Sequence, residues 1–164
     1  MKVAIIGNSG SGKSTLARKL AANQDTCILD LDLIFWEKGT SVERPLRERV
    51  KDVEEFCGGH ASWIIEGCYS DLIAASFAWV PELVFMDPGP EICLANCRRR
   101  PHERHKFRTK EEQDRQLEAL LQWVADYYER DDLMSHRAHL ALFEAYSGPK
   151  RRIQNQTPAD DSFY

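Results

Sequence analysis

The sequence predicts an α/β domain of three layers, with helices on both faces of a central parallel sheet. Three observations predict it. Short apolar runs recur at residues 3–6, 27–29, 63–65 and 83–86 with helical patterns between them, and strands spaced by helices join through right-handed crossovers into a parallel sheet. The first run leads into Gly7-Asn8-Ser9-Gly10-Ser11-Gly12-Lys13-Ser14, a glycine-rich turn between strand and helix that cradles phosphate in that setting. Finally, 164 residues with 43% hydrophobic content suffice to bury one core without disulfides or metal.

Each element follows in order. The glycines let the backbone curl so that successive N–H groups converge on one anion, while Lys13 adds a cation and the Ser14 hydroxyl a ligand for Mg²⁺. This Walker A pattern marks Gly7, Asn8, Ser9, Gly10, Ser11, Gly12, Lys13, Ser14 and Thr15 as the residues that bind a nucleoside triphosphate. Leu16, Ala17 and Leu20 stand at helical spacing over 14–22, so the first helix begins on the phosphate with its N-terminal dipole facing it. Residues 27–29 end in Asp30-Leu31-Asp32, predicting a buried strand that delivers acids at its carboxyl end. A helix opens at Pro45, carries Leu46, Val50, Val53 and Phe56 on one face, and stops at Gly58-Gly59.

Glu66-Gly67 close the third strand and Asp87-Pro88 the fourth. Pro90-Glu91 open a helix running to about Arg99, and the chain then turns basic through Arg98, Arg99, Arg100, His102, Arg104, His105, Lys106, Arg108 and Lys110. Thr109 and Glu112 form a capping box for a long helix, with Leu117, Leu120, Leu121, Val124, Tyr127 and Tyr128 as its core stripe. A further helix from Ser135 carries Ala138, Ala141, Leu142 and Ala145. Residues 150–156 read as an edge strand and 157–164 as a tail. The expected organisation is one domain over 1–150, with an Arg-rich lid at about 98–110, and a C-terminal tail over 151–164.

Composition narrows the partners. Twenty-two basic against 26 acidic residues give a formal charge of -4, which argues against a nucleic-acid or membrane-surface binder. Small anions met locally are the expected ligands, and the expected assembly is a monomer or weak homodimer. Five cysteines (Cys27, Cys57, Cys68, Cys93, Cys97) form no CxxC pair and read as buried thiols of a reducing compartment. The apolar run after Lys2 ends too early for a signal peptide, and no stretch approaches a membrane span. A cytoplasmic protein is expected.

A phosphate loop serves kinases, switches and ATP-driven machines alike, so the remaining polar residues must discriminate. Asp30, Asp32, Glu66 and Asp87 all lie just beyond strand ends, within reach of a Mg²⁺ hydration shell or a substrate hydroxyl. Phosphoryl transfer also needs charge neutralisation and exclusion of water, and the basic segment suits both. Trp36 and Phe35 are candidates to stack on a substrate ring, with burial the commoner outcome, and Arg44 and Arg47 are candidate anion contacts. His102 with His105, and His136 with His139, have metal-site spacing but lack completing ligands.

With these residues assembled, the chain resembles the small P-loop kinases of the adenylate kinase and shikimate kinase superfamily. More closely, it is similar to the adenylate kinase-like group labelled DNA topology modulation proteins, through residues 31–36 (LDLIFW) and 63–70 (WIIEGCYS). The resemblance spans roughly residues 2–100. It implies a P-loop NTPase fold in which Lys13 and the loop amides hold the β- and γ-phosphates, Ser14 binds Mg²⁺, and a nucleoside monophosphate or small hydroxylated acceptor sits near Asp32. Glu66 falls where relatives carry the acid that holds Mg²⁺-bound water, and Arg100 where a lid arginine meets the phosphates. Asn96 occupies the place of an adenine-stacking arginine.

The expected activity is therefore transfer of the ATP γ-phosphoryl to a small acceptor. Lys13, Asp32 and Arg100 are its expected catalytic residues. Arg104 joins the loop in holding ATP, Asp32, Trp36, Arg44, Glu66 and Tyr69 form the acceptor site, and Ser14, Asp30 and Glu66 the metal site. The alternative is a regulatory ATP- or GTP-binding switch with slow or no hydrolysis. A GTPase proper is disfavoured because the chain has no Asn-Lys-x-Asp motif.

Overall fold

The computed structural model describes residues 1–22, 24–102, 104 and 108–154. Five strands, β1 (Lys2–Gly7), β2 (Cys27–Asp30), β3 (Trp63–Gly67), β4 (Glu82–Met86) and β5 (Lys150–Ile153), form one sheet in the order β2-β3-β1-β4-β5. All of its pairings are parallel. The three-layer α/β/α architecture expected from the sequence is the one observed, and the sheet runs on past residue 150 to Ile153.

Period-two alternation decides the layers. Ala4, Ile6, Trp63, Ile65, Leu83 and Phe85 face one way, into a core shared with Phe35, Val53, Leu72 and Ile73. Val3, Ile5, Ile64, Val84 and Met86 face the other, against Ala17, Leu16 and Leu20 of α1 (Lys13–Ala21). Burial on both faces explains why the strands read as unbroken apolar runs. The exception is β2, expected to be buried: it lies at the sheet edge, and Ile28 is 40% exposed.

Four further helices match their sequence signals: α3 (Leu46–Gly59), α5 (Pro90–Arg99), α6 (Lys110–Ala125) and α7 (His136–Ala145). Thr109 caps α6 by accepting the Glu112 backbone N–H at 3.1 Å, and Ser135 caps α7 by accepting that of Ala138 at 3.2 Å. Two short helices were not expected, α2 (Asp32–Phe35) and α4 (Ser70–Ala75), because four and six residues are too few to show a 3.6-residue period. Two faces also differ from expectation. On α3, Leu46 is 49% exposed while Arg49 is buried, and on α7 Ala141 and Ala145 are exposed while His139 is buried. The α6 stripe ends at Val124, and Tyr127 and Tyr128 follow on a 3₁₀ turn. Three cysteines are buried as expected, but Cys27 and Cys68 are half-buried. Among the described residues no helix is long and apolar enough to cross a membrane.

Candidate phosphate-binding and transfer site

The turn from β1 into α1 brings the phosphate loop together. Gly10 and Gly12 take left-handed backbone conformations (φ 77° and 93°), which a side chain would oppose. A Cβ on Gly10 would also collide with the Cys93 carbonyl oxygen. The first intrahelical bond of α1 runs from Leu16 N–H to Gly12 C=O, so the N–H groups of Lys13, Ser14 and Thr15 have no partner within the helix. Free donors, the helix dipole and Lys13 thus converge on one anion-sized place.

One face of α5 lies on this loop. Cys93, Asn96, Cys97 and Arg100 are spaced i, i+3, i+4, i+7 and share that face. Asn96 Nδ2 donates to the Gly10 carbonyl at 2.8 Å, and Arg100 Nη2 donates to Ser9 Oγ at 3.0 Å. Across the loop, Asn8 Nδ2 donates to the Val124 carbonyl at 3.0 Å, and its Oδ1 accepts the Ser9 N–H at 2.8 Å. Arg100 therefore stands at the loop.

Sheet register places the acids. Glu66 pairs laterally with Ile5 on one side and Asp30 on the other, and it shares the Ile64 face, toward α1. Ser14, in the first turn of α1, donates its hydroxyl to Glu66 Oε1 at 2.6 Å. Glu66 is 4% exposed. Burial pushes its pKa up, and Asp30 and Asp32 add to that, against the opposing pull of Lys13 and Ser14.

Lys13 is buried beside these acids, its Nζ donating to the Asn8 carbonyl at 2.8 Å and lying 3.7 Å from Cys68 Sγ. Burial opposes its charge, but Cys68, Glu66 and Asp32 outweigh that and raise its pKa. Lys13 stays protonated.

Asp32 opens α2, and Asp30 Oδ1 accepts its backbone N–H at 2.9 Å. The Tyr69 hydroxyl donates to Asp32 Oδ1 at 2.7 Å, and the Tyr69 ring stacks on Phe35 at 3.9 Å. Trp36 packs edge-on against Phe35 at 4.7 Å. The structure thus brings Lys13, Ser14, Asp30, Asp32, Glu66, Tyr69 and Arg100 to the carboxyl ends of β1, β2 and β3, where open parallel sheets take their ligands.

Other residues are placed differently. Arg44 is engaged with Asp52 at 2.6 Å, Glu48 at 3.5 Å and the Ile34 carbonyl at 3.0 Å, tying α2 to α3 in place of facing an open anion site. Phe35 is buried and Trp36 half-buried, so both serve packing first. Asp87 points to the opposite face from Glu66 and is held by Arg152 at 2.5 Å, Tyr128 at 2.8 Å and His136 at 3.3 Å. Burial alone would raise its pKa, but these partners lower it. His139 is spent on Tyr127 and Cys68, each at 2.7 Å. Arg104 is exposed; of the expected lid, Arg98 and Arg99 end α5 and Lys110 begins α6, while residues 103 and 105–107, with His105 and Lys106 among them, lie outside the described residues, as does the tail from 155.

Sequence reasoning missed Cys68, which lies against Lys13, and Arg49, buried over the Phe35 ring at 4.1 Å. Neither had a local signal. It also missed Asn96 as a loop contact, although its α5 spacing from Cys93 and Arg100 shows it.

Among the described residues, no group of three or more His, Cys, Asp or Glu side chains is arranged to hold a metal ion. Mg²⁺ asks for less, since it binds through one or two protein oxygens together with phosphate and water. The Ser14 and Glu66 oxygens, already 2.6 Å apart, fit that requirement.

No protein-family model matches the chain, and no curated protein matches it in sequence. Solved structures do. A sugar kinase from Janibacter sp. HTCC2649 is similar over 95% of this chain and 86% of its own, at 14% identity and TM-score 0.57. A gluconokinase from Sinorhizobium meliloti 1021 is similar over 96% and 83%, at 14% identity and TM-score 0.53. At such identity the likeness shows the fold alone, an α/β domain built on a parallel sheet.

Proposed function

We propose that this chain is a Mg²⁺-dependent phosphotransferase that moves the γ-phosphoryl group of ATP to a small acceptor. The observation that carries the reading is the junction of two half-sites. Lys13 and Ser14, at the loop, meet Glu66 and Asp32, at the ends of β3 and β2, through the Ser14–Glu66 contact of 2.6 Å. A phosphate-binding loop beside an oriented carboxylate is what transfer to a hydroxyl needs.

In this reading the acceptor oxygen forms a bond to the γ-phosphorus and the bond from phosphorus to the bridging oxygen breaks, so ADP leaves with the electron pair. Asp32, held by Tyr69, orients the acceptor hydroxyl and takes its proton, which passes to water. Lys13 and Arg100 stabilise the charge on the moving group. Ser14 and Glu66 would hold Mg²⁺, which neutralises phosphate charge when bound. The closer resemblance to the DNA topology modulation group is part of this proposal only as a relationship between small kinases. The acidic composition lends no support to binding DNA.

The test is ATP consumption with Mg²⁺ against nucleoside monophosphates, nucleosides and small hydroxylated metabolites. One acceptor should raise turnover tens-fold, and Lys13→Ala should lower that turnover at least ~100-fold. Transfer retained by Lys13→Ala would sink the assignment, and a flat panel with tight ATP binding would support the nucleotide switch in its place.

A further inference from the structure

Beside Asp32 lies a second concavity that the phosphate site does not use. It is a cleft of about 180 Å³ lined by Phe35, Glu43, Arg49, Tyr69, Asp71 and Asp132. Tyr69 belongs to both places, since its ring lines the cleft and its hydroxyl donates to Asp32. An occupant of the cleft is thereby one tyrosine away from the carboxylate assigned to the acceptor hydroxyl.

The unusual group here is Arg49. It is 6% exposed, lies over the Phe35 ring at 4.1 Å, and its Nε and Nη1 have no hydrogen-bond partner. Its Nη2 lies 3.7 Å from Glu43 Oε2, a carboxylate that is itself 57% exposed. Stacking on a ring supports the charge but leaves the N–H donors empty, and an unfilled buried donor is costly, the more so when charged. Such a group in a folded protein calls for an explanation. A planar anion seated in the cleft supplies one, because with a small turn of the guanidinium it accepts the fork of donors that the protein leaves unfilled.

The rest of the lining limits what that anion belongs to. Asp132 is paired with Arg130 at 2.5 Å, which leaves Glu43, 3.7 Å from Arg49, and Asp71, which accepts the Leu72 N–H, as the other carboxylates of the lining. A phosphate dianion would meet two carboxylates for its single cation, whereas a monocarboxylate bearing hydroxyl or ammonium donors satisfies Arg49 and these acids together. The volume agrees, being below the ~300–1,000 Å³ of clefts that take drug-sized ligands.

We propose that this cleft is the acceptor subsite and that it selects a small monocarboxylate carrying hydroxyl or ammonium donors, in preference to a nucleotide. The proposal rests on the phosphotransferase reading for what happens next, but not for binding. Titration calorimetry on the wild-type protein without nucleotide tests it, using D-glycerate against glycerol, L-serine against L-serinamide, and AMP. At least one carboxylate is expected to bind ten-fold or more tighter than its uncharged or amide partner and tighter than AMP. Arg49→Met should abolish that difference, with ATP affinity as the control for folding. If Arg49→Met does not fold, Arg49→Lys, which keeps the charge and loses the fork, should narrow the difference at least three-fold.

Equal binding within each pair, no binding of any probe, preference for AMP, or a difference unchanged in the variant would overturn the proposal. Carboxylate selectivity in a protein that transfers no phosphate would fail the phosphotransferase reading and keep the subsite. Robust transfer to nucleotides alone would do the reverse.

Discussion

Glu66 is where stability and chemistry pull apart at the level of one residue. Its pKa is raised chiefly by burial, so the folded state favours its protonated form. A raised acid contributes stability that is full below the ordinary glutamate range and is lost as pH rises through its folded value. At neutral pH the buried carboxylate is a cost, and Glu66→Gln, which keeps an oxygen for the Ser14 hydroxyl, should raise the melting temperature at pH 7. The gain should shrink toward pH 4. The same change removes a charge from the metal site proposed at Ser14 and Glu66, and on that proposal Mg²⁺ affinity should fall ~10–100-fold. Melting curves at both pH values and a Mg²⁺ titration of turnover check the pair, and a variant less stable at pH 7 would contradict the burial argument. Tyr69 shows a complementary economy. Its own pKa is driven far up, by burial first and then by Asp32, so it remains a donor at any working pH and keeps Asp32 in one orientation.

Helices decide how the loop is held, and α5 is the one to perturb. Its i, i+3, i+4, i+7 face lies so close to the loop that Gly10 leaves no room for a methyl group, at a left-handed φ of 77°. Gly10→Ala should therefore destabilise the fold by about 3 kcal/mol, from strain and overpacking together, and should weaken ATP binding even where folding survives at low temperature. Chemical denaturation and nucleotide titration read the two effects. An alanine accommodated without loss would mean that α5 does not clamp the loop. The same scale shows what was legible in the sequence. Long elements announced themselves: α5 begins at Pro90, and α6 and α7 begin after the capping residues Thr109 and Ser135. The loop, Glu66 and Asp32 were legible too, because strand ends deliver residues to one sheet edge whatever the pairing. Strand order is not, so β2 reads as a buried strand although it is an edge. Nor were α2 and α4 legible, or the burial of Arg49 on a helix whose apolar spacing pointed to Leu46. Those depend on contacts between segments distant in the chain.

At the scale of the whole molecule, one buried histidine joins three such segments behind the site. His139 of α7 is fully buried. Its Nε2 faces the Cys68 carbonyl, which only accepts, so Nε2 carries the proton and Nδ1 accepts the hydroxyl of Tyr127, both at 2.7 Å. The end of β3, the 3₁₀ turn after α6 and α7 are thereby locked around a neutral imidazole. Burial pushes the His139 pKa down to about 3. In the unfolded chain the same group takes a proton near its ordinary value of about 6.5, so stability is lost as pH falls from there toward 3, at up to about 1.4 kcal/mol per unit. Asp87 does not share this window. Its lowered pKa means that its contribution is present above the ordinary aspartate range and is lost only at still lower pH. Glu66 acts with the opposite sign, since its raised pKa adds stability as pH falls. The comparison that isolates His139 is therefore the urea midpoint from pH 7 to 4.5 in wild type and in His139→Gln. The variant should start less stable at pH 7 and lose less on acidification, so that the two curves converge by about 2 kcal/mol at pH 5. Parallel curves would mean that the imidazole titrates alike in both states, and that the lock around Cys68 opens before the protein unfolds.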